Sequence, residues 1–185
     1  MTDSPPDRIN TERVFDGRIV KVDLDTVRAP DGSEMHLEMV RHRGASAIVP
    51  LLSEQDAEDP SVLLIKQYRY ATNGTIWEIP AGVLDPGEEP IECARRELME
   101  EVGAEAENLE HLTTIYTTPG FTDEQIHIFL ATCLTIGDTA HELDEFIEVE
   151  ARPISQILEM IRDGELIDSK SISALLYVAG FRLGL

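Results

Sequence analysis

The stretch from residue 82 to residue 104, GVLDPGEEPIECARRELMEEVGA, restricts what this chain can fold into more than any other. Seven of its side chains are carboxylates, and Glu97, Glu100 and Glu101 fall within five residues. Pro90 suits a first helical turn and Gly103 an end, so the spacing predicts a helix over 90–102. At about 100° per residue, Ile91, Ala94, Leu98 and Val102 form one apolar stripe. Glu97 and Glu101, four apart, lie side by side along the edge of that stripe, and Glu100 stands on the other flank of Glu97. Carboxylates that border a core cost free energy unless positive charge compensates them. Two sources of that charge are open. Arg95 and Arg96 can pair with Glu88, Glu92 or Glu100, or a hard divalent cation can take the carboxylate oxygens as ligands.

The remainder of the chain reads as a mixture of strands and helices. Its 185 residues, 42% of them hydrophobic, suffice for a domain with a real core. A formal charge of -21 argues against nonspecific nucleic-acid binding, which needs basic surface. No apolar run approaches a membrane span, and the polar, acidic start MTDSPPDRIN lacks a signal-peptide pattern, so a cytoplasmic protein that does not bind membranes is expected. Cys93 and Cys133 have no metal spacing and read as reduced, buried thiols. Residues 1–10 read as a loose tail. Alternation at Val20, Val22 and Leu24, the turn APDGSE, and alternation at Met35, Leu37 and Met39 predict an N-terminal antiparallel hairpin.

From Ala45 onward, ASAIVPLL and VLLIKQYRY are strand-like. Further strands are expected at 111–117, 125–136 and 146–152. A helix should follow Pro153 and stop at Gly164, and a last one should start near Asp168–Ser169 with Ile172, Leu175, Leu176 and Ala179 inward. Strands and helices do not alternate strictly, so the fold class is α+β, with a mixed sheet between helices. The domains expected are 1–44, the tail and hairpin, and 45–185. The five histidines form no ligand set, and Trp77 reads as core.

A wider pattern around the acidic helix bears on which compensation is meant. Gly82, Glu88, Arg96, Glu97, Leu98, Glu100, Glu101 and Gly103 match the pattern G-x5-E-x7-R-E-U-x-E-E-x-G-U, where U is a bulky aliphatic residue; only the last position, Ala104, is small. The stretch resembles the Nudix hydrolase signature. The resemblance implies a Nudix-like α/β/α sandwich and a loop–helix–loop that binds magnesium, or manganese in its place, to hydrolyse a diphosphate linked to a second group. By carry-over, Glu97 and Glu101 are metal ligands, Glu100 assists through a metal or its water, Ala81 offers its backbone carbonyl, and Arg96 orients the carboxylates with Glu88.

Pro119, sixteen residues beyond Gly103, together with KQYRY, IWEIPAG and LDEFIEVE, resembles the ADP-ribose pyrophosphatase subgroup. That resemblance implies hydrolysis of ADP-ribose to AMP and ribose 5-phosphate. The alternatives are another nucleoside diphosphate sugar or dinucleotide, such as GDP-mannose or NADH, and a nucleotide sensor without turnover. In the subgroup Arg69 would meet a phosphate, and Glu78 the ribose or a water on the metal. The segment EMVRHRG would reach into the partner's pocket of a swapped homodimer, with Glu38 accepting from the base and Arg41 or His42 near phosphate. Leu37 stands where related enzymes can use a stacking aromatic, a part open to Tyr68, Tyr70 or Phe15. The general base implied is Glu145, with Glu142 as runner-up.

Overall fold

The computed structural model describes residues 7–52, 57–137 and 147–185. It divides into two compact units, residues 1–44 with 116–125, and residues 45–115 with 126–185.

In the first unit, β1 (Arg8–Asp16), β2 (Lys21–Arg28) and β3 (Glu34–Arg41) form an antiparallel sheet in the order β1-β2-β3. The turn between β2 and β3 is the expected one, with Gly32 at φ 87°, a left-handed conformation that favours glycine. Two expectations are corrected. The hairpin is a three-stranded sheet, because residues 8–10 are not a tail but the start of β1. No residue of that strand is buried, so pairing to β2 holds it in place. The buried phase of β2 is also the opposite of the apolar one. Asp23, Asp25 and Val27 are buried, whereas Val20 and Leu24 are exposed.

The reason is an ion cluster. Arg41 donates from Nε to Asp23 Oδ2 at 2.9 Å, pairs closely with Asp25, and reaches Asp123 Oδ2 at 3.3 Å. Arg13 pairs with Asp23 from β1. Because a side chain period of two places a whole strand face together, neutralising Asp23 and Asp25 on one face sends Leu24 to the other.

In the second unit, β4 (Ala45–Pro50) pairs in parallel with β9 (Gln125–Ile136) and antiparallel with β7 (Ala81–Val83), in the order β7-β4-β9-β8, where β8 is Ala104–Tyr116. A second sheet has the order β10-β5-β6, formed by Ile147–Pro153, Ser61–Arg69 and Gly74–Glu78. Strand β4 is buried on both faces, which is why ASAIV lacks apolar–polar alternation. Ala45, Ala47, Val49, Val62, Leu64, Ile126, Ile128 and Leu130 pack with residues of α2 (Ile154–Arg162) and α3 (Ser169–Val178). Ile48, Leu63, Ile65, Phe129 and Ala131 pack on the other side with Ala94, Leu98 and Val102 of α1 (Pro90–Val102). Helices thus cover both faces of the strands, as an α+β sandwich requires.

Helix ends follow the sequence signals. Pro90 opens α1, and Gly103, at φ 67°, closes it. Asp168 caps α3 by accepting from the Ser171 N–H at 3.0 Å. Three burial expectations fail. Ile91 and Leu176 sit at helix borders that no layer covers and are exposed, and Cys133 is exposed on β9. Trp77 is core, flanked by the Lys66 and Arg152 cations. No helix among the described residues is long and apolar enough to cross a membrane.

The ion cluster of the first unit predicts an acid limb. Hydrogen bonds from Arg13, then from Arg41, lower the Asp23 carboxyl from 3.8 to about 2. A depressed folded-state value contributes stability that is complete above the unfolded value and is lost as pH falls towards the folded one. Acid unfolding followed by circular dichroism should therefore steepen between about pH 4 and pH 2. Asp23→Asn should flatten that window, and an unchanged acid limb would contradict the assignment.

Candidate active site

The acidic helix lies against β7, and local chemistry sets the contact. The Ser46 hydroxyl on β4 donates to the Pro90 carbonyl at 2.7 Å and pins the start of α1. Glu101 Oε2 accepts the Ala81 N–H at 2.8 Å. Its neighbour Gly82 has no Cβ, and a Cβ there would fall inside the Glu97 carboxylate. The glycine of the signature is therefore required by close approach and not by backbone angle. Glu97 and Glu101 are buried, 8% and 3% exposed, with their carboxylates on consecutive residues of β7.

Arg96 holds this cluster together. Its guanidinium donates to Glu88 from Nε and Nη2, each at 3.0 Å, and to Glu100 from Nη1 at 3.1 Å. It pairs closely with Glu97 and donates to the Val83 carbonyl at 3.2 Å. Glu88 in turn accepts the Asp85 N–H at 2.8 Å, closing the loop before the helix. The Arg96 hydrogen bonds, opposed by slight desolvation and aided by the Asp85 amide, hold the Glu88 carboxyl down at about 2. The same carboxylates raise Arg96, which stays charged. Cys93 lies beneath, its Sγ 3.5 Å from the Gly82 carbonyl, and burial pushes its thiol up to about 11. It is an inert packing group at neutral pH.

A second cluster borders the first. Arg69 grips Glu78 as a fork, with Nε to Oε1 at 2.7 Å and Nη2 to Oε2 at 2.9 Å. Lys170, on α3, pairs closely with Glu78 Oε2 and lies 3.0 Å from Asp168 Oδ2. Burial alone would raise Glu78, but the Arg69 and Lys170 cations keep it below the ordinary range. Arg69 also feels the charges of Glu101 and Asp168. Ser171 ties the helix down: its hydroxyl accepts the Ile79 N–H at 2.8 Å and donates to Asp168 at 2.6 Å.

The structure thus lays Glu97 and Glu101 against Gly82 and Ala81, links Glu100 to Glu97 through Arg96, and sets Arg69, paired with Glu78, within the field of Glu101. Both Glu78 oxygens, expected at a ribose or a water, are engaged by cations. Glu38 and Arg41 belong to the first unit, where Glu38 is exposed on β3 and Arg41 is committed to three aspartates. Glu142 and Glu145 lie outside the described residues. Lys170, Asp168 and Ser171 were missed as neighbours of the site. A lysine in the first turn of an amphipathic helix looks solvated, and nothing local reveals a carboxylate 92 residues earlier. His111 and His127, expected as strand residues, sit on β8 and β9 and share the Thr114 hydroxyl at 3.0 Å each.

The donor set fits a hard divalent cation. The donors expected are carboxylate and backbone oxygens, without thiolate or imidazole, and the carboxylates of Glu97 and Glu101 are buried against consecutive residues of β7. Among the described residues no three His, Cys, Asp or Glu side chains are gathered around one point. Arg96 supplies positive charge to Glu88, Glu97 and Glu100.

Comparison with known proteins gives the class. Residues 41–175 match the NUDIX domain. The chain is 38% identical over 172 residues to the methanol dehydrogenase activator of Bacillus methanolicus, covering 92% of this chain and 90% of that protein. It is 37% identical over 172 residues to the ADP-ribose pyrophosphatase of Bacillus subtilis (strain 168), with the same coverage of 92% and 90%. A crystal structure of an ADP compounds hydrolase matches with a TM-score of 0.82 at 26% identity, covering 98% of this chain and 96% of that one. The chain belongs to the Nudix family. It is a hydrolase of that family, which works with a divalent metal.

The close approach at β7 is testable. Gly82→Ala must displace the Glu97 carboxylate while leaving the α1 packing residues untouched. Metal affinity should fall by about 10–100-fold, the usual cost of disturbing the support of a ligand. Wild-type metal activation in Gly82→Ala would show that Glu97 does not depend on this approach.

Proposed function

We propose that the protein hydrolyses the diphosphate of ADP-ribose to AMP and ribose 5-phosphate, with magnesium held by Glu97 and Glu101. The observation that carries this reading is the pair of buried carboxylates laid against Ala81 and Gly82. The similarity to the Bacillus subtilis ADP-ribose pyrophosphatase over 92% of the chain supports the substrate. When bound, a divalent cation neutralises the diphosphate oxygens and lowers the pKa of the attacking water.

The chain's own residues supply the rest. Ala81 would add its backbone carbonyl to the ligand set. Arg96 keeps Glu97 and Glu100 in place through its anchor on Glu88. Glu100, only partly buried, assists at the cluster's open side. Arg69 contacts a substrate phosphate, and Glu78 acts by holding Arg69. A carboxylate outside the cluster takes the proton of water, a role given to Glu145 and, after it, to Glu142. Glu38 would accept from the base and Arg41 or His42 would stand near phosphate in a homodimer. The exposed Phe15, Ile19, Val20, Leu24 and Met35 of the first unit support such an assembly. A cytoplasmic location follows from the same reading, since soluble nucleotide substrates occur there.

Incubation with magnesium and a panel containing ADP-ribose, GDP-mannose, NADH and nucleoside triphosphates should give AMP and ribose 5-phosphate fastest. A preference for a triphosphate would overturn the substrate assignment, and no turnover of any member would favour a sensor. Glu97→Gln or Glu101→Gln should remove most activity and leave thermal stability without magnesium equal or slightly higher, because like-charge repulsion falls. Near-normal turnover in both would remove the metal assignment.

The base is separable from the ligands. Glu145→Gln should lower kcat by roughly 10²–10⁴-fold with metal binding retained. Loss in Glu142→Gln alone would move the role to that residue, and unchanged kcat in both would return it to the cluster around Glu100.

A further inference from the structure

Two cations compensate one buried carboxylate at the edge of the site, and they are not equivalent. The Glu78 side chain is 2% exposed, the Lys170 side chain 12%, and the Arg69 side chain 42%. Lys170 is fixed from both sides, since it pairs with Glu78 and with Asp168, the residue that caps α3. Among the described residues the Arg69 side chain hydrogen-bonds to Glu78 alone, and it is the most solvent-exposed of the three.

A buried carboxylate that loses its sole counter-ion is left with an uncompensated charge, which a folded protein tolerates badly. A carboxylate with two counter-ions can release one. We propose that Lys170 is a positioning residue for substrate binding: it is the standing counter-ion of Glu78, and it leaves Arg69 exchangeable between Glu78 and an anionic phosphate of the substrate. This rests on the reading of Arg69 as a phosphate contact and adds the reason that a residue already in a fork can serve as one. No proton transfer is involved, and the net charge of the Arg69–Glu78–Lys170–Asp168 group stays zero before the anion arrives.

Without Lys170, Glu78 would retain Arg69 as its only cation, and binding a phosphate would mean stripping it. Neutralising Glu78 removes the conflict. The effect of Lys170 should therefore exist only while Glu78 is charged, a dependence that a plain packing role for the lysine stem does not produce.

The test is a double-mutant cycle on the full chain with saturating magnesium, reading by calorimetry the Kd for the non-hydrolysable analogue α,β-methylene ADP-ribose. Arg69→Met and Lys170→Met should each weaken binding by about 10–100-fold, the range that losing a hydrogen bond to a charged group covers. Lys170→Arg should stay near wild type. Adding Lys170→Met to Glu78→Gln should cost no further affinity. Equal weakening by Lys170→Met in the presence and absence of the Glu78 charge would overturn the proposal. If Lys170→Met does not fold, Glu78→Gln decides, because a loss as large as that of Arg69→Met would overturn the exchange. Unchanged affinity in Arg69→Met would instead refute the phosphate reading on which the proposal stands.

Discussion

The Arg96 guanidinium is the interaction on which the site depends. Four carboxylates, Glu88, Glu97, Glu100 and Glu101, crowd one short segment, and three of them meet this one cation. Without it, Glu97 would be a buried charge beside two like charges, and a helix with that face would not pack against β7. Arginine suits the task because its planar fork reaches several acceptors at once and never loses its charge. The chain is formally 21 charges negative, so each fixed cation near a phosphate-handling site has a large part to carry.

The same physical solution recurs three times. Arg96 gathers glutamates on α1, Arg69 and Lys170 share Glu78, and Arg41 gathers Asp23, Asp25 and Asp123 in the first unit. In each case a buried or half-buried carboxylate is stabilised by guanidinium or ammonium hydrogen bonds and not by solvent. Losing the shared cation of such a group leaves its carboxylates uncompensated, which is destabilising. The clusters therefore act as constraints on geometry. They fix where acids point, and the acids then become available as ligands or anchors.

What was legible in the sequence follows from which signals are local. The helix over 90–102 carries its own caps, periodicity and spacing, so its ends and the placing of Glu97 and Glu101 along one edge could be read directly. The strands Ala45–Pro50 and Ser61–Arg69 were legible because they are buried apolar runs. The N-terminal strand β2 was misread for the opposite reason. Its apolar alternation is real, but Asp23 and Asp25 are neutralised by arginines from β1 and β3, and that compensation is invisible until the strands are paired. Lys170 escaped notice similarly, since its partner Glu78 lies on a strand far away in the chain. Gly82 was recognised by pattern, whereas its cause, the space filled by Glu97, is a tertiary fact.

The central claim is that the cluster around Glu97 and Glu101 is built for a divalent cation, with Arg96 holding it ready. The most direct measurement is the melting temperature of the wild-type protein in the absence of nucleotide, from no magnesium to saturation. A ligand that binds only the folded state raises stability as RT ln(1 + [L]/Kd), about 2.7 kcal/mol at a hundred times Kd. The account predicts a rising melting temperature that potassium chloride of equal ionic strength does not reproduce. A melting temperature that ignores magnesium, or follows ionic strength alone, would contradict it.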